Sequence, residues 1–166
     1  MKEELIDVVD DEDNVLRQVT WKEMHEKSLL HRSANIFVFN SKGQIFMHKR
    51  NRNLPLYPGM FDLKAGGVVQ AGESYENAAK RELKEELGIE SAELQYLFDF
   101  KFRGGHNNNN RKVYKCTYDG KIRLQEEEVE EGMFITFEAA KKILEEGNIS
   151  PSGAAVFREF LKRVKK

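Results

Sequence analysis

Glu82, Glu85 and Glu86 crowd into one short stretch, with Gly66-Gly67, Glu73 and Arg81 before it and Gly88 after it. On an α-helix, at about 100° per residue, the three carboxylates share about a third of the circumference. Ala79, Leu83 and Leu87 fill the adjoining arc and can face a core, while Lys80 and Lys84 point to water. Carboxylates at i, i+3 and i+4 repel one another. Negative charge near a helix C-terminus also opposes the helix dipole. A hard divalent cation relieves both, since Mg²⁺ takes oxygen ligands and keeps waters and substrate phosphates in its shell. Gly66-Gly67 lets backbone come close to a metal or phosphate. Glu73 and Arg81 can pin the loop to the helix through a charge-assisted contact. The plainer alternative is a solvated acidic face partnered by Lys80 and Lys84. The two glycines and the Glu73–Arg81 pair favour a metal site.

The surrounding elements must hold that helix and loop in place. Ser74 can cap a helix over Tyr75–Leu87, and Gly88 can end it. Leu5–Val9 and Val15–Val19 flank a polar turn and form a small hairpin, after which Thr20 opens a short helix to about Lys27. Ser33–Asn40 and Gln44–Lys49 read as a second hairpin. Asn51–Gly59, with Pro55 and Pro58, reads as a loop, and Phe61–Lys64 as a short strand leading to the glycines. Leu94–Phe102 and Lys112–Tyr118 are two more strands. The Asn107–Asn110 run between them, after Gly104-Gly105-His106, has the composition of a disordered loop. Phe98, Phe100 and Phe102 alternate as one core-facing side of a strand. Met133–Ile135 is a last strand, Thr136 caps a helix to about Glu146, and Ser150-Pro151-Ser152 opens a C-terminal helix ending in the basic tail Lys162–Lys166. Mixed strands and helices of this order predict helices covering a central sheet.

The central segment resembles the Nudix box, G-x5-E-x7-R-E-U-x-E-E-x-G-U with U aliphatic. Gly67, Glu73, Arg81, Glu82, Leu83, Glu85, Glu86, Gly88 and Ile89 match it without departure. A chance match at a given start is on the order of 10⁻⁸ at average residue usage. The resemblance implies an α/β fold, a Nudix-type α/β/α sandwich with a mixed central sheet, here with the small N-terminal β-hairpin. It divides a single domain over residues 1–166 into an extension at 1–30 and a core at 31–166, with the box at 67–89. It implies a hydrolase of a nucleoside diphosphate derivative or related diphosphate. Glu82, Glu85 and Glu86 would ligate Mg²⁺ or Mn²⁺ with help from the Gly66 carbonyl. Glu82 would take a proton from the attacking water, and Glu73 and Arg81 would orient the ligands.

A narrower resemblance joins Leu30-His31-Arg32-Ser33, Phe37–Gly43, Lys49-Arg50 and Tyr57-Pro58-Gly59 to the isopentenyl-diphosphate isomerase branch of that superfamily. Those isomerases place a cysteine directly before the box glycine and a histidine directly after it. This chain has Gly66 and Val68 there, and its single thiol, Cys116, lies far along the sequence. The resemblance therefore implies a hydrolase on an isomerase-like frame. An isomerase and a non-catalytic Nudix-fold nucleotide-binding regulator are the alternatives.

Other charged residues fall around this core. Arg50, Lys49 and Lys64 are candidate phosphate contacts. Glu126, Glu127 and Glu128 precede the last strand, where family members carry an extra acidic ligand or base. A solvated charge run is the competing reading. His31 can line a pocket, and His25, His48 and His106 carry no assignment. The chain has 27 basic and 28 acidic residues, a net charge of -1, which excludes a generic nucleic-acid binder held by counterion release. One cysteine excludes an internal disulfide. No apolar run approaches the ~20 residues of a membrane span, and Met1–Val9 lacks the pattern of a signal peptide. The expectation is a cytoplasmic enzyme, monomer or dimer, acting on a small-molecule diphosphate with no membrane partner.

Overall fold

The computed structural model describes residues 3–164; Lys165 and Lys166 of the basic tail lie outside them. Nine strands and four helices follow in the order β1 (Leu5–Val9), β2 (Val15–Thr20), α1 (Trp21–Glu26), β3 (His31–Phe39), β4 (Ile45–Arg50), β5 (Phe61–Asp62), β6 (Ala65–Val68), α2 (Tyr75–Leu87), β7 (Gln95–Arg103), β8 (Asn108–Thr117), β9 (Val129–Ile135), α3 (Phe137–Glu146) and α4 (Pro151–Val164). The caps follow side-chain chemistry. Thr20, Ser74 and Thr136 each accept a backbone N–H three residues on. Gly88 closes α2 in the left-handed conformation, φ 69°.

The mixed sheet runs β5-β4-β3-β8-β7, with β3 and β8 parallel. Alternation along β3 builds a layer on each face. Ala34, Ile36 and Val38 pack with Ala79, Leu83 and Leu87 of α2. Phe37 packs with Ala140 and Leu144 of α3 and Phe157 and Phe160 of α4. This is the expected sandwich, with α2 on one face and α3 and α4 on the other.

One irregularity shapes the site. β3 meets β4 only at Phe39 and Ile45, and nearer its start it pairs instead with β6, from Ser33–Val68 to Ile36–Ala65. β4 goes on to pair with β5 and β9. The two strands therefore part company, and a cleft opens between them. The β1–β2 hairpin braces its edge: Ala71 N–H donates to the Leu5 carbonyl at 2.8 Å and Gly72 N–H to Asp7 at 3.1 Å.

Three expectations are corrected. Asn108–Asn110 are not disordered; they begin β8, between β3 and β7. Neighbouring polar groups satisfy their amides: Asn110 Nδ2 donates to the Asp10 carbonyl at 3.0 Å, and Asn109 Nδ2 to Asn107 Oδ1 at 2.8 Å. The expected strand at 61–64 ends at Asp62, and a second one carries Gly66-Gly67 within it rather than in a loop. The last strand starts at Val129, earlier than the apolar residues suggest, because β4 supplies its pairing.

Candidate active site

The end of α2 brings Glu82 and Glu86 to the cleft floor, on the side of the helix that adjoins its buried stripe. The segment ahead of β9 adds Glu128. One carboxylate oxygen from each of these three residues lies within 4.8 Å of the others. Glu126 and Glu127 are exposed, so only the third residue of that run reaches the cluster. Glu85 lies about 100° around the helix from Glu86. Its side chain is 46% exposed at the cleft rim and its Oε2 stands 3.3 Å from Arg81 Nη1.

The electrostatics are those of crowded, dehydrated anions. Burial, opposed by Arg81 and reinforced by Glu128 and Glu85, pushes Glu82 up to about 7. Burial, with Glu82 and Glu128 beside it, raises Glu86 well above the usual carboxylate range. Burial followed by Glu85 raises Glu128. Three convergent carboxylates strained in this way fit a hard divalent cation, which takes oxygen donors and removes the repulsion.

The glycines make room for them. A Cβ on Gly67 would sit 2.6 Å from Glu82 Oε1, and one on Gly66, at φ +140°, 2.0 Å from the Ala34 carbonyl oxygen. Gly66 N–H donates to Glu86 Oε2 at 3.4 Å. Arg81 ties the parts together as expected. Nε and Nη2 grip Glu73 at 2.9 and 3.1 Å, Nη1 holds Glu82 at 2.8 Å, and Nη2 also donates to the Val68 carbonyl at 3.0 Å. Glu73 in turn accepts from Gln70 N–H at 3.0 Å.

The cleft has a volume of about 380 Å³, and its other walls mix basic and polar groups with apolar residues such as Leu54, Pro55 and Leu56. Arg50 lines it, aimed by two bonds to the Leu56 carbonyl at 3.2 and 3.1 Å. Lys64 also lines it, 3.3 Å from the buried Asp62. Lys49 does not: alternation along β4 turns His48 and Arg50 toward the cleft and Lys49 away, where it pairs with Glu130 at 3.7 Å. That alternation was available in the sequence and also points to His48, which had no assignment. His31 lines the cleft as well. Its Nδ1–H donates to the Leu29 carbonyl at 2.9 Å, which leaves Nε2 as the acceptor. Burial drives both imidazoles down to about 4, so both are neutral at pH 7. Asn35, Asp62, Asn109, Arg111 and Ser152 complete the deep end. Nothing in local spacing marked them, because β3, β5, β8 and α4 bring them together only in the fold.

The NUDIX domain model matches residues 29–159. An uncharacterized Nudix hydrolase of Pseudomonas aeruginosa is 41% identical over 148 residues, which cover 89% of this chain and 86% of that one. The uncharacterized Nudix hydrolase YfcD of Escherichia coli is 35% identical over 133 residues, 80% of this chain and 74% of its own. Among solved structures, DR0079 of Deinococcus radiodurans superposes with a TM-score of 0.82 at 26% identity, over 94% of this chain and 98% of that one. With the family's box set on α2 and its acidic residues gathered at a cleft, the chain belongs to the Nudix hydrolase family, enzymes that act on pyrophosphate bonds.

Proposed function

We propose that the protein hydrolyses a nucleoside diphosphate derivative or related diphosphate, with Glu82, Glu86 and Glu128 holding Mg²⁺ or Mn²⁺. Glu85 opens onto the same cleft, and the Gly66 carbonyl is a further candidate ligand. The observation that carries the reading is the convergence of three carboxylates, the buried Glu82 and Glu86 of α2 and the half-buried Glu128 ahead of β9, in one cleft with Arg50 and Lys64. When bound, the cation neutralises charge on phosphoryl oxygens and makes water more acidic.

The chain's own residues divide the remaining work. Arg50 and Lys64 hold phosphoryl oxygens and so align the diphosphate. Glu82, fixed by Arg81 at the cluster, is the candidate to accept a proton from the attacking water. Arg81, clamped by Glu73, keeps Glu82 from swinging away. The deep polar end gives a prenyl chain little apolar surface. Gly66 and Val68, flanking the box glycine, have no titratable side chain to move carbon-bound protons. Both facts support hydrolysis over double-bond isomerisation.

The test is an unbiased hydrolysis screen with Mg²⁺ and Mn²⁺ over nucleotides, nucleotide sugars, dinucleoside polyphosphates and prenyl diphosphates. Metal-dependent release from at least one class, lost in Glu86→Gln, is expected. No turnover by a protein that binds Mn²⁺ at these glutamates would support a non-catalytic regulator instead.

A further inference from the structure

Arg111 is a buried cation that the hydrolytic scheme does not use. It lies on β8, is 2% exposed and lines the deep end of the cleft. Its guanidinium donates to Asn109 Oδ1, to Asn35 Oδ1 at 3.0 Å, to the Ser152 carbonyl at 3.3 Å and to Ser152 Oγ. All four acceptors are neutral. A guanidinium has five N–H donors, so one, on Nη2, has no acceptor among the described residues. Among the described residues Arg111 makes no ion pair. Its guanidinium carbon lies over the Phe102 ring, 4.8 Å from the centroid.

A buried charge without a counter-charge is costly, and proteins retain one where something else supplies the partner. The nearby carboxylate, Asp62, is already engaged by Lys64 at 3.3 Å and by Ser150 Oγ at 3.1 Å. Burial lowers Arg111 to about 10, still charged at neutral pH. His31 and His48 add no charge there, and His48 Nδ1 is buried with no hydrogen-bond partner among the described residues. In this end of the cleft Lys64 and Arg111 share the one carboxylate of Asp62, while Lys64 and Arg50 also face Glu86 and Glu128 across the cleft, so Arg111 is the cation left with no counter-charge of its own.

We propose that the deep end of the cleft is a subsite for an oxyanion, phosphate or carboxylate, that the substrate carries outside the cleaved linkage. Arg111 is its specificity-determining residue. Asn35, Asn109 and Ser152 fix the guanidinium plane, so its free N–H and its charge are ready before the ligand arrives. The preferred substrates are then compact diphosphates with a second acidic group, rather than those ending in an apolar or uncharged group. The inference deepens the diphosphate reading and rests on it for the bond that breaks, but not for the anion.

The experiment titrates metal-free protein, in EDTA, with orthophosphate in one arm and acetate in the other. The Arg111 Nε–Hε signal is followed by NMR, and affinity is measured for wild type and Arg111→Gln. Orthophosphate should move the Arg111 signal saturably, and Arg111→Gln should weaken its binding at least ~10-fold. Tighter binding of acetate than of phosphate would identify the group as a carboxylate. A signal unmoved by either anion, or a folded Arg111→Gln protein with unchanged affinity, would overturn the subsite. If that variant does not fold, the wild-type signal decides. Anion binding at Arg111 in a protein that cleaves no diphosphate would overturn the proposed function and leave the subsite standing. Diphosphate hydrolysis with an unmoved Arg111 would do the reverse.

Discussion

Replacing Gly67 with alanine tests how closely the backbone is fitted to the carboxylate cluster. The new Cβ would stand 2.6 Å from Glu82 Oε1 and 2.8 Å from its Cδ. Ordinary contact begins near 3.4 Å, so the carboxylate must retreat by about 0.8 Å. Arg81 Nη1, 2.8 Å away, resists that movement. A misplacement of about 1 Å at a reacting group costs about 10²-fold in rate, or about 2.7 kcal/mol of barrier. Gly67→Ala should therefore lower kcat/KM by about two orders of magnitude and weaken Mn²⁺ binding. The melting temperature should stay within a few degrees, because the clash is with a side-chain end at the cleft wall. Gly66→Ala is the contrasting control. Its Cβ would meet the Ala34 carbonyl oxygen at 2.0 Å, at a φ of +140° that side chains avoid, so it should split β6 from β3 and cost several kcal/mol of stability, on the order of an overpacked core. The assays are steady-state hydrolysis of the best substrate from the screen and thermal unfolding of both variants. Wild-type activity in Gly67→Ala, with the fold intact, would refute the claim that the glycine exists to seat Glu82.

Further outcomes follow from the same geometry. Glu86→Gln should lower kcat by at least ~10²-fold, whereas Glu85→Gln, changed at the rim, should cost less; equal losses would place Glu85 within the cluster. Glu73→Gln should reduce metal affinity by about 10–100-fold by releasing Arg81, and an unchanged affinity would show that the pair does not organise the site. Because Glu82 is raised to about 7, the metal-free protein holds a proton there at pH 6 that the unfolded chain does not, and this carboxyl's contribution to stability fades as pH rises through about 7. Metal binding at pH 6 should accordingly release protons, and the release should shrink above pH 8; calorimetry in two buffers of different ionisation heat would detect it, and its absence at pH 6 would contradict the raised carboxyls. Isopentenyl diphosphate in D₂O should acquire no deuterium by NMR, and incorporation matching the best hydrolytic turnover would restore the isomerase.

The parts of the fold that the sequence revealed are those governed by local chemistry. Ser74, Gly88 and the Ala79–Leu83–Leu87 stripe defined α2 to the residue, because caps and periodicity act within a few positions. The Glu73–Arg81 clamp was legible for the same reason. Asn108–Asn110 misled, since polar residues become strand interior only when their amides are bonded, by Asp10 from a distant segment, by Arg103 across the β7–β8 pair and by Arg111 along the same strand. The choice of Glu128 over Glu126 and Glu127 depends on where the turn before β9 points, which no spacing rule contains. Lys49 and Arg50 looked alike as a basic pair, and only the pleat of β4 separates them. The deep end of the cleft was invisible because each contributing strand supplies one or two residues and no motif.

The central claim is that Glu82, Glu86 and Glu128 hold a divalent cation together, and titration of Mn²⁺ followed by electron paramagnetic resonance tests it most directly. Wild-type protein should bind the ion, Glu128→Gln should weaken binding at least ~10-fold, and Glu127→Gln, one residue away on the exposed turn, should leave it unchanged. Equal Mn²⁺ affinity in the wild-type and Glu128→Gln proteins would contradict the account.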